Sequence, residues 1–281
     1  MKHPSAIHIT GLDYLAKIEG GRPPSIEEHL KDVAPDLARL AIDFAYGEVY
    51  PRGHLDLRQR QLATCAALAA LGNARPQLKF HLAGALNVGC TPEELVELAI
   101  HMSVYTGFPV AINTALVLKE LFAERGIVPA AQQAAQPSSA GQGRFERGWA
   151  GLSEIDGHAG ERVIAALQDI APDLGRHIVE FAFGDVYSRP GLDLLSRELV
   201  TVAALAAIGT ASAQLKVHMH GFLNVGGTKA QMVETATHIA VYAGFPAAIN
   251  AALVAKEVMA ERAMPTAATT ATKTATASEA D

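Results

Sequence analysis

The chain has 281 residues, 49% of them hydrophobic and 19% charged, with a formal net charge of -6. That is enough length for two ordinary domains, and an acidic balance without any Lys/Arg run argues against a nucleic-acid binder. The two cysteines, Cys65 and Cys90, both lie in the first half. They give no disulfide framework, and a reducing cytoplasm is the expected setting. The first 20 residues lack the apolar run of a secretory signal, and the apolar stretches elsewhere are broken by charge, His or Gly short of a membrane span.

At a constant offset of 137, Pro35–Arg125 aligns without a gap on Pro172–Arg262, and roughly 53 of 91 pairs are identical. The chain is therefore one helical module written twice. Residues 1–25, with Gly20-Gly21 and Pro23-Pro24, read as a loosely attached arm. Residues 26–127 form the first module and 146–263 the second. Between them, 128–145 is rich in Ala, Gln, Ser and Gly and reads as a linker; the Ala/Thr-rich stretch 264–281 reads as a disordered tail.

Within the first module the apolar spacing predicts a helix over 26–46, with most of Leu30, Val33, Leu37, Leu40, Ile42 and Phe44 on one stripe. Asp56 is a candidate N-cap for an almost wholly apolar helix over 57–71, which Gly72 closes. Pro76 begins a helix through Val88. Thr91-Pro92-Glu93-Glu94 is a strong start signal for one reaching Tyr105, and Pro109 opens the last, to about Glu124. The second module repeats each element, with Asp193 as the matching cap. No segment alternates with period two long enough to be a strand, so the fold is all-α.

Polar residues retained in both copies inside these apolar helices are the candidates for chemistry. They are His81 and His218, His101 and His238 (each four residues before a tyrosine, Tyr105 or Tyr242), Arg60 and Arg197, Arg52 and Arg189, and Asn113 and Asn250. Each also has a purely structural reading: a hydrogen-bonded core histidine, or an arginine paired with a neighbouring carboxylate. No ligand spacing for a metal is present; the two histidines of His218-Met219-His220 face apart on a helix, and only the first is shared by the copies. Neither cysteine is retained at its repeat position (Val202, Gly227), which excludes a thiol nucleophile used by both halves.

The runs Arg197–Gly209, Gln214–His218, Leu223–Gly226 and Val241–Asn250, with Gln77–His81, Leu86–Gly89 and Val104–Asn113 in the first copy, resemble the carboxymuconolactone decarboxylase family. Phe183–Asp193 is especially similar to its authentic decarboxylases. The resemblance implies the alkylhydroperoxidase D-like helical fold, here as a pseudo-dimer within one chain. Thiol peroxidases of that group use Glu, then Cys-x-x-Cys, then His. Glu198 and His218 match the Glu and His, but 210–213 holds no cysteine, so a peroxidase is not expected. What the resemblance implies instead is a decarboxylase of γ-carboxymuconolactone, from aromatic breakdown through the β-ketoadipate route. It would need neither metal nor organic cofactor, because the unsaturated lactone accepts the electrons left by CO2.

On that reading His218 and His81 return the proton, and Glu198 orients His218, a role Gln61 fills without charge. Arg189, Arg52, Arg197 and Arg60 bind substrate carboxylates or support the site, with His238, His101, Asn250 and Asn113 beside the substrate. The partner is a small carboxylated lactone, with no nucleic acid and no membrane. Family members of single-module length form trimers of dimers, so a homotrimer as pseudo-hexamer is expected. The competing expectations are a relative recruited to another small molecule in specialised metabolism, and a non-catalytic binding or scaffold protein.

Overall fold

The computed structural model describes residues 5–130 and 142–263; the expected tail at 264–281 and most of the expected linker lie outside them. Thirteen α-helices and two π-helices occur in the described residues, with no strand. The first module comprises α1 (Ala6–Ile18), α2 (Ile26–Leu30), α3 (Pro35–Ala41), π1 (Ile42–Val49), α4 (Leu57–Leu71), α5 (Arg75–Asn87), α6 (Pro92–Tyr105) and α7 (Phe108–Arg125). The second comprises α8 (Arg144–Ile155), α9 (His158–Ala165), α10 (Pro172–His177), π2 (Ile178–Tyr187), α11 (Leu194–Ile208), α12 (Ser212–Asn224) and α13 (Lys229–Ala263).

Helices α4 and α11 lie against one another at the centre, each apolar on nearly every side, so each needs cover all round. Leu62, Ala63, Cys65 and Ala66 meet Leu199, Val200, Val202 and Ala203 in one continuous core drawn from both modules. The two copies share this main core, and each adds a smaller cluster of its own, around Leu15, Ile18 and Ile42 in the first and Leu152, Ile155 and Val179 in the second. Cys65 behaves there as a small apolar residue, its thiol pushed well above its usual range by burial. The predicted caps are present: Asp56 accepts from the Gln59 amide, Asp193 from Ser196 and Thr91 from Glu94. Gly72 and Gly209 close the central helices at φ +68° and +71°, left-handed turns that suit glycine.

Three expectations change. The helix expected over 26–46 is interrupted before Pro35, because a residue preceding proline is displaced from the helical region: Ala34 sits at φ -152°. Beyond Ala41 the backbone winds into π1, while Val33, Leu37 and Leu40 of the expected stripe stay exposed. Second, the N-terminal segment is no loose arm. Its helix α1 buries Leu15 and Ile18 and crosses π1 so closely that a Cβ on Gly11 would lie 2.5 Å from the Ile42 carbonyl oxygen. Gly148 and Gly184 make the same crossing between α8 and π2, so α8 is the repeat of α1, and Arg144 already belongs to it. Third, α13 is long and apolar enough to cross a membrane by length and composition alone. Gly244 breaks it (φ 82°, ψ 166°) where Gly107 separates α6 from α7, and it packs on α11 and α12.

Candidate active site

Two polar clusters sit where the modules exchange helices. In the second, the Asp193 cap starts α11 so that Arg197 and Glu198 come one turn in, both fully buried. One turn of α12 sets His218 opposite, with Nδ1 3.1 Å from Glu198 Oε2 and 3.3 Å from Oε1. The π-wound backbone of π2 delivers Tyr187, whose hydroxyl donates to Glu198 Oε1 (2.5 Å) and lies 2.6 Å from the Tyr105 hydroxyl. Tyr105 comes from α6, in the other module. So does His101, whose Nε2 lies 2.8 Å from Thr201 Oγ1. Since that hydroxyl donates to the Arg197 carbonyl, His101 must donate from Nε2, which leaves Nδ1 without a partner.

The first cluster copies this arrangement with the modules reversed. Tyr50 and Tyr242 hydroxyls are 2.6 Å apart, and Thr64 Oγ1 is 2.8 Å from His238 Nε2. Here the central residue is Gln61, which accepts from His81 Nδ1 (3.0 Å) and donates to the Tyr50 hydroxyl (3.0 Å). The difference reverses the histidine. Burial alone pushes His81 down to about 3, so it is neutral. Burial disfavours charge on His218 too, but the Glu198 charge and hydrogen bond, with Asp156 behind them, outweigh it and raise His218 to about 9.

A cavity of about 280 Å³ opens beside His218, lined by Tyr105, Asp156, Gln214 and a wall that includes Leu152, Ile164, Ile178 and Phe183. Asp156 ends α8, its Oδ1 buried without a hydrogen-bond partner and 3.9 Å from His218 Nδ1. Burial raises it to about 6; His218 opposes the rise and Glu198 adds to it. Its counterpart at the repeat offset, Glu19, instead accepts from the Ser25 amide (3.4 Å). Among the described residues, Asp156, Glu198 and His218 are the group whose atoms lie close enough, within 4.8 Å, for three ligands to one cation. Their bonds describe proton sharing: Nδ1 is committed to Glu198, and Glu198 in turn to the Tyr187 hydroxyl.

The remaining candidates serve other ends. Arg197 and Arg189 both bind Glu97 of α6 (3.0 and 2.9 Å), and Arg60 and Arg52 both bind Glu234 of α13 (2.8 Å each). The four arginines therefore clamp one module to the other and do not line the cavity. A buried guanidinium needs a buried anion, and each glutamate supplies it. His101 and His238 are wholly buried, held uncharged first by desolvation, and packed against tyrosine rings rather than beside a substrate. Asn113 and Asn250 lie exposed on α7 and on α13 beyond Gly244, and neither lines the cavity beside His218. Asp156, Glu97 and Glu234 escaped sequence reasoning. The signal was there for all three: Glu97 and Glu234 are identical at the 137 offset, and Asp156 keeps an acid opposite Glu19.

The profile of the Carboxymuconolactone decarboxylase family matches residues 35–120 and 172–257. A 4-carboxymuconolactone decarboxylase from Acinetobacter baylyi is 37% identical over 116 residues, 41% of this chain and 86% of that protein. A nitrosuccinic acid decarboxylase from Metarhizium robertsii is 39% identical over 83 residues, 29% of this chain and 57% of that protein. A crystal structure described as a gamma-carboxymuconolactone decarboxylase subunit from Burkholderia xenovorans superposes with a TM-score of 0.57 at 26% identity, covering 94% of this chain and all of its own. Two profile matches at the same offset as the internal repeat establish that this chain belongs to the carboxymuconolactone decarboxylase family as two tandem modules.

Proposed function

We propose that the protein is a cofactor-independent carboxy-lyase acting on a small carboxylated lactone or a related acid, with its working site in the second module. The observation that carries this reading is the asymmetry of the histidines: only His218 is held as an imidazolium, and it stands at a cavity. Loss of CO2 leaves an electron pair that a conjugated carbonyl on the substrate itself can take up. A fixed cation beside that growing charge lowers the barrier, and the imidazolium proton completes the exchange of carboxylate for hydrogen at carbon. Glu198 keeps His218 charged, and the Tyr187 hydroxyl fixes Glu198 in turn. His81, uncharged beside Gln61, has no proton of this kind to give; the first site supports the second through the helices it lends.

The test is turnover of γ-carboxymuconolactone and smaller lactone acids, followed by CO2 release. Wild type should release CO2 from at least one, and His218→Ala should lose at least 100-fold in kcat. Full activity in that variant would remove the assignment. The nitrosuccinic acid decarboxylase among the relatives favours a second reading, in which a nitro group replaces the lactone as electron acceptor; nitrosuccinate in the same assay separates the two. The cytoplasm is the proposed compartment, and a homotrimer the proposed assembly. Supporting the latter, Phe108, Ile112 and Leu116 on α7 and Phe245, Ile249 and Leu253 on α13 form two matching exposed apolar stripes. Light scattering would return three chain masses.

A further inference from the structure

The cavity beside His218 is short of positive charge. Its polar lining is Tyr105, Asp156, Gln214 and His218, and the rest is aliphatic or aromatic; among the described residues no arginine or lysine lines it. The nearby arginines are engaged with Glu97. The one imidazolium already faces Glu198, fully buried, so an entering carboxylate finds a single cation whose charge is half-spent. A second carboxylate on the same substrate would lose its water and gain no cation, a large penalty in a mostly apolar cavity. Asp156 sharpens the restriction. Its Oδ1 is buried, makes no hydrogen bond and belongs to the cavity wall. Ionised, it repels an incoming anion; protonated, it can donate to one.

We propose that this cavity takes an acid with one carboxylate on a compact uncharged body, and that Asp156 enters the complex as the carboxylic acid, donating its proton to the bound carboxylate. The inference rests on the reading that this cavity is the substrate site, and it names the substrate class for it. Around Asp156, His218 on α12 favours the carboxylate, whereas burial and Glu198 on α11 favour the acid. The Tyr105 and Tyr187 hydroxyls, from α6 and π2, are held well above their ordinary range and stay neutral. Helix α9 approaches Asp156 through Gly160. Free Asp156 titrates at about 6, so an anion that requires its acid form takes up a proton on binding at neutral pH.

Calorimetric titration of the full chain with benzoate and with terephthalate tests this with probes that differ by one carboxylate. Benzoate should bind at least about tenfold tighter. Its Kd should weaken by up to about tenfold per pH unit above about 6, with uptake of about one proton at neutral pH when two buffers of different ionisation enthalpy are compared. Asp156→Asn, which keeps a donor but cannot titrate, should retain benzoate binding and lose both the pH slope and the proton uptake. The buffer comparison needs no variant, so it stands even if the substitution unfolds the chain. Equal or tighter binding of terephthalate, an unchanged slope in the variant, or no binding of either acid by folded protein would overturn the proposal. Efficient turnover of the dicarboxylate γ-carboxymuconolactone would overturn it too, yet leave the decarboxylase reading intact. Benzoate binding as described, with no CO2 released from any acid, would do the reverse.

Discussion

The two histidine clusters share a backbone, a tyrosine pair, a threonine–histidine bond and an arginine clamp, and they differ at the centre by one amide against one carboxylate. Burial is common to both and by itself drives an imidazole neutral, as at His81, at about 3. The Glu198 carboxylate overturns that and holds His218 at about 9. Solvent exclusion therefore decides the protonation state only where no ionised neighbour opposes it: it prevails at His81 and is overridden by Glu198, with Asp156 behind it, at His218.

Exchanging the central residues is the most direct way to break the contrast. Glu198→Gln should cost at least 100-fold in kcat and move the His218 titration, followed by NMR of the ring protons, from above 8 to below 6. A His218 still charged at pH 8 in that variant would show that Glu198 is not the cause. Next in size is the clamp, where the sites should behave alike. Glu97→Gln and Glu234→Gln each leave two arginines, one wholly buried, without their anion and should destabilise the chain by about 3–5 kcal/mol in urea unfolding. A large inequality between them would break the equivalence at that level.

The pH profile of stability is a subtler measure. His218 is raised from its ordinary value to about 9, so its contribution is complete below about 6.5 and is lost as pH rises through about 9. His81 and His238 are lowered to about 3, so theirs is complete above about 6.5 and is lost as pH falls towards 3. Urea midpoints should be highest near pH 6.5, with His218→Gln flattening only the alkaline limb, where a few kcal/mol are at stake. The smallest expected effect is Gln61→Glu, which should raise the His81 titration while changing kcat less than twofold. A larger loss would mean that the first site takes part in turnover.

Much of the fold was legible because it is written in local terms. Capping residues, proline at first turns and glycine at ends set the bounds of α4, α5, α6 and α7 within a residue or two, and the repeat carried them to the second module. The π-helices were not legible: Ile42, Tyr46 and Tyr50 recur every four residues, as on an ordinary helix, and α1, which packs across π1, comes from outside the repeat aligned in the sequence. For the site, the pairing of Glu198 with His218 followed from the family resemblance, and the Gln61 exchange marked the two copies as unequal. Sequence alone does not decide between carboxylate binding and site support for the arginines, because their partners, Glu97 and Glu234, are about 90 to 180 residues away and meet them only when the modules cross. Asp156 was hidden in a segment where the copies share little beyond Gly148, Leu152 and Ile155.

That crossing has an evolutionary consequence. In a homodimer of single modules one gene segment specifies both sites, so any change at one appears at the other, and a glutamine replacing the central glutamate would disable the pair together. Joining the copies in one chain removes that coupling: a change at Gln61 touches the first cluster alone, and a change at Glu97, His101 or Tyr105 of α6 touches the second alone. The first module can thus vary at its own cluster while its α6 stays constrained by the cluster it lends to.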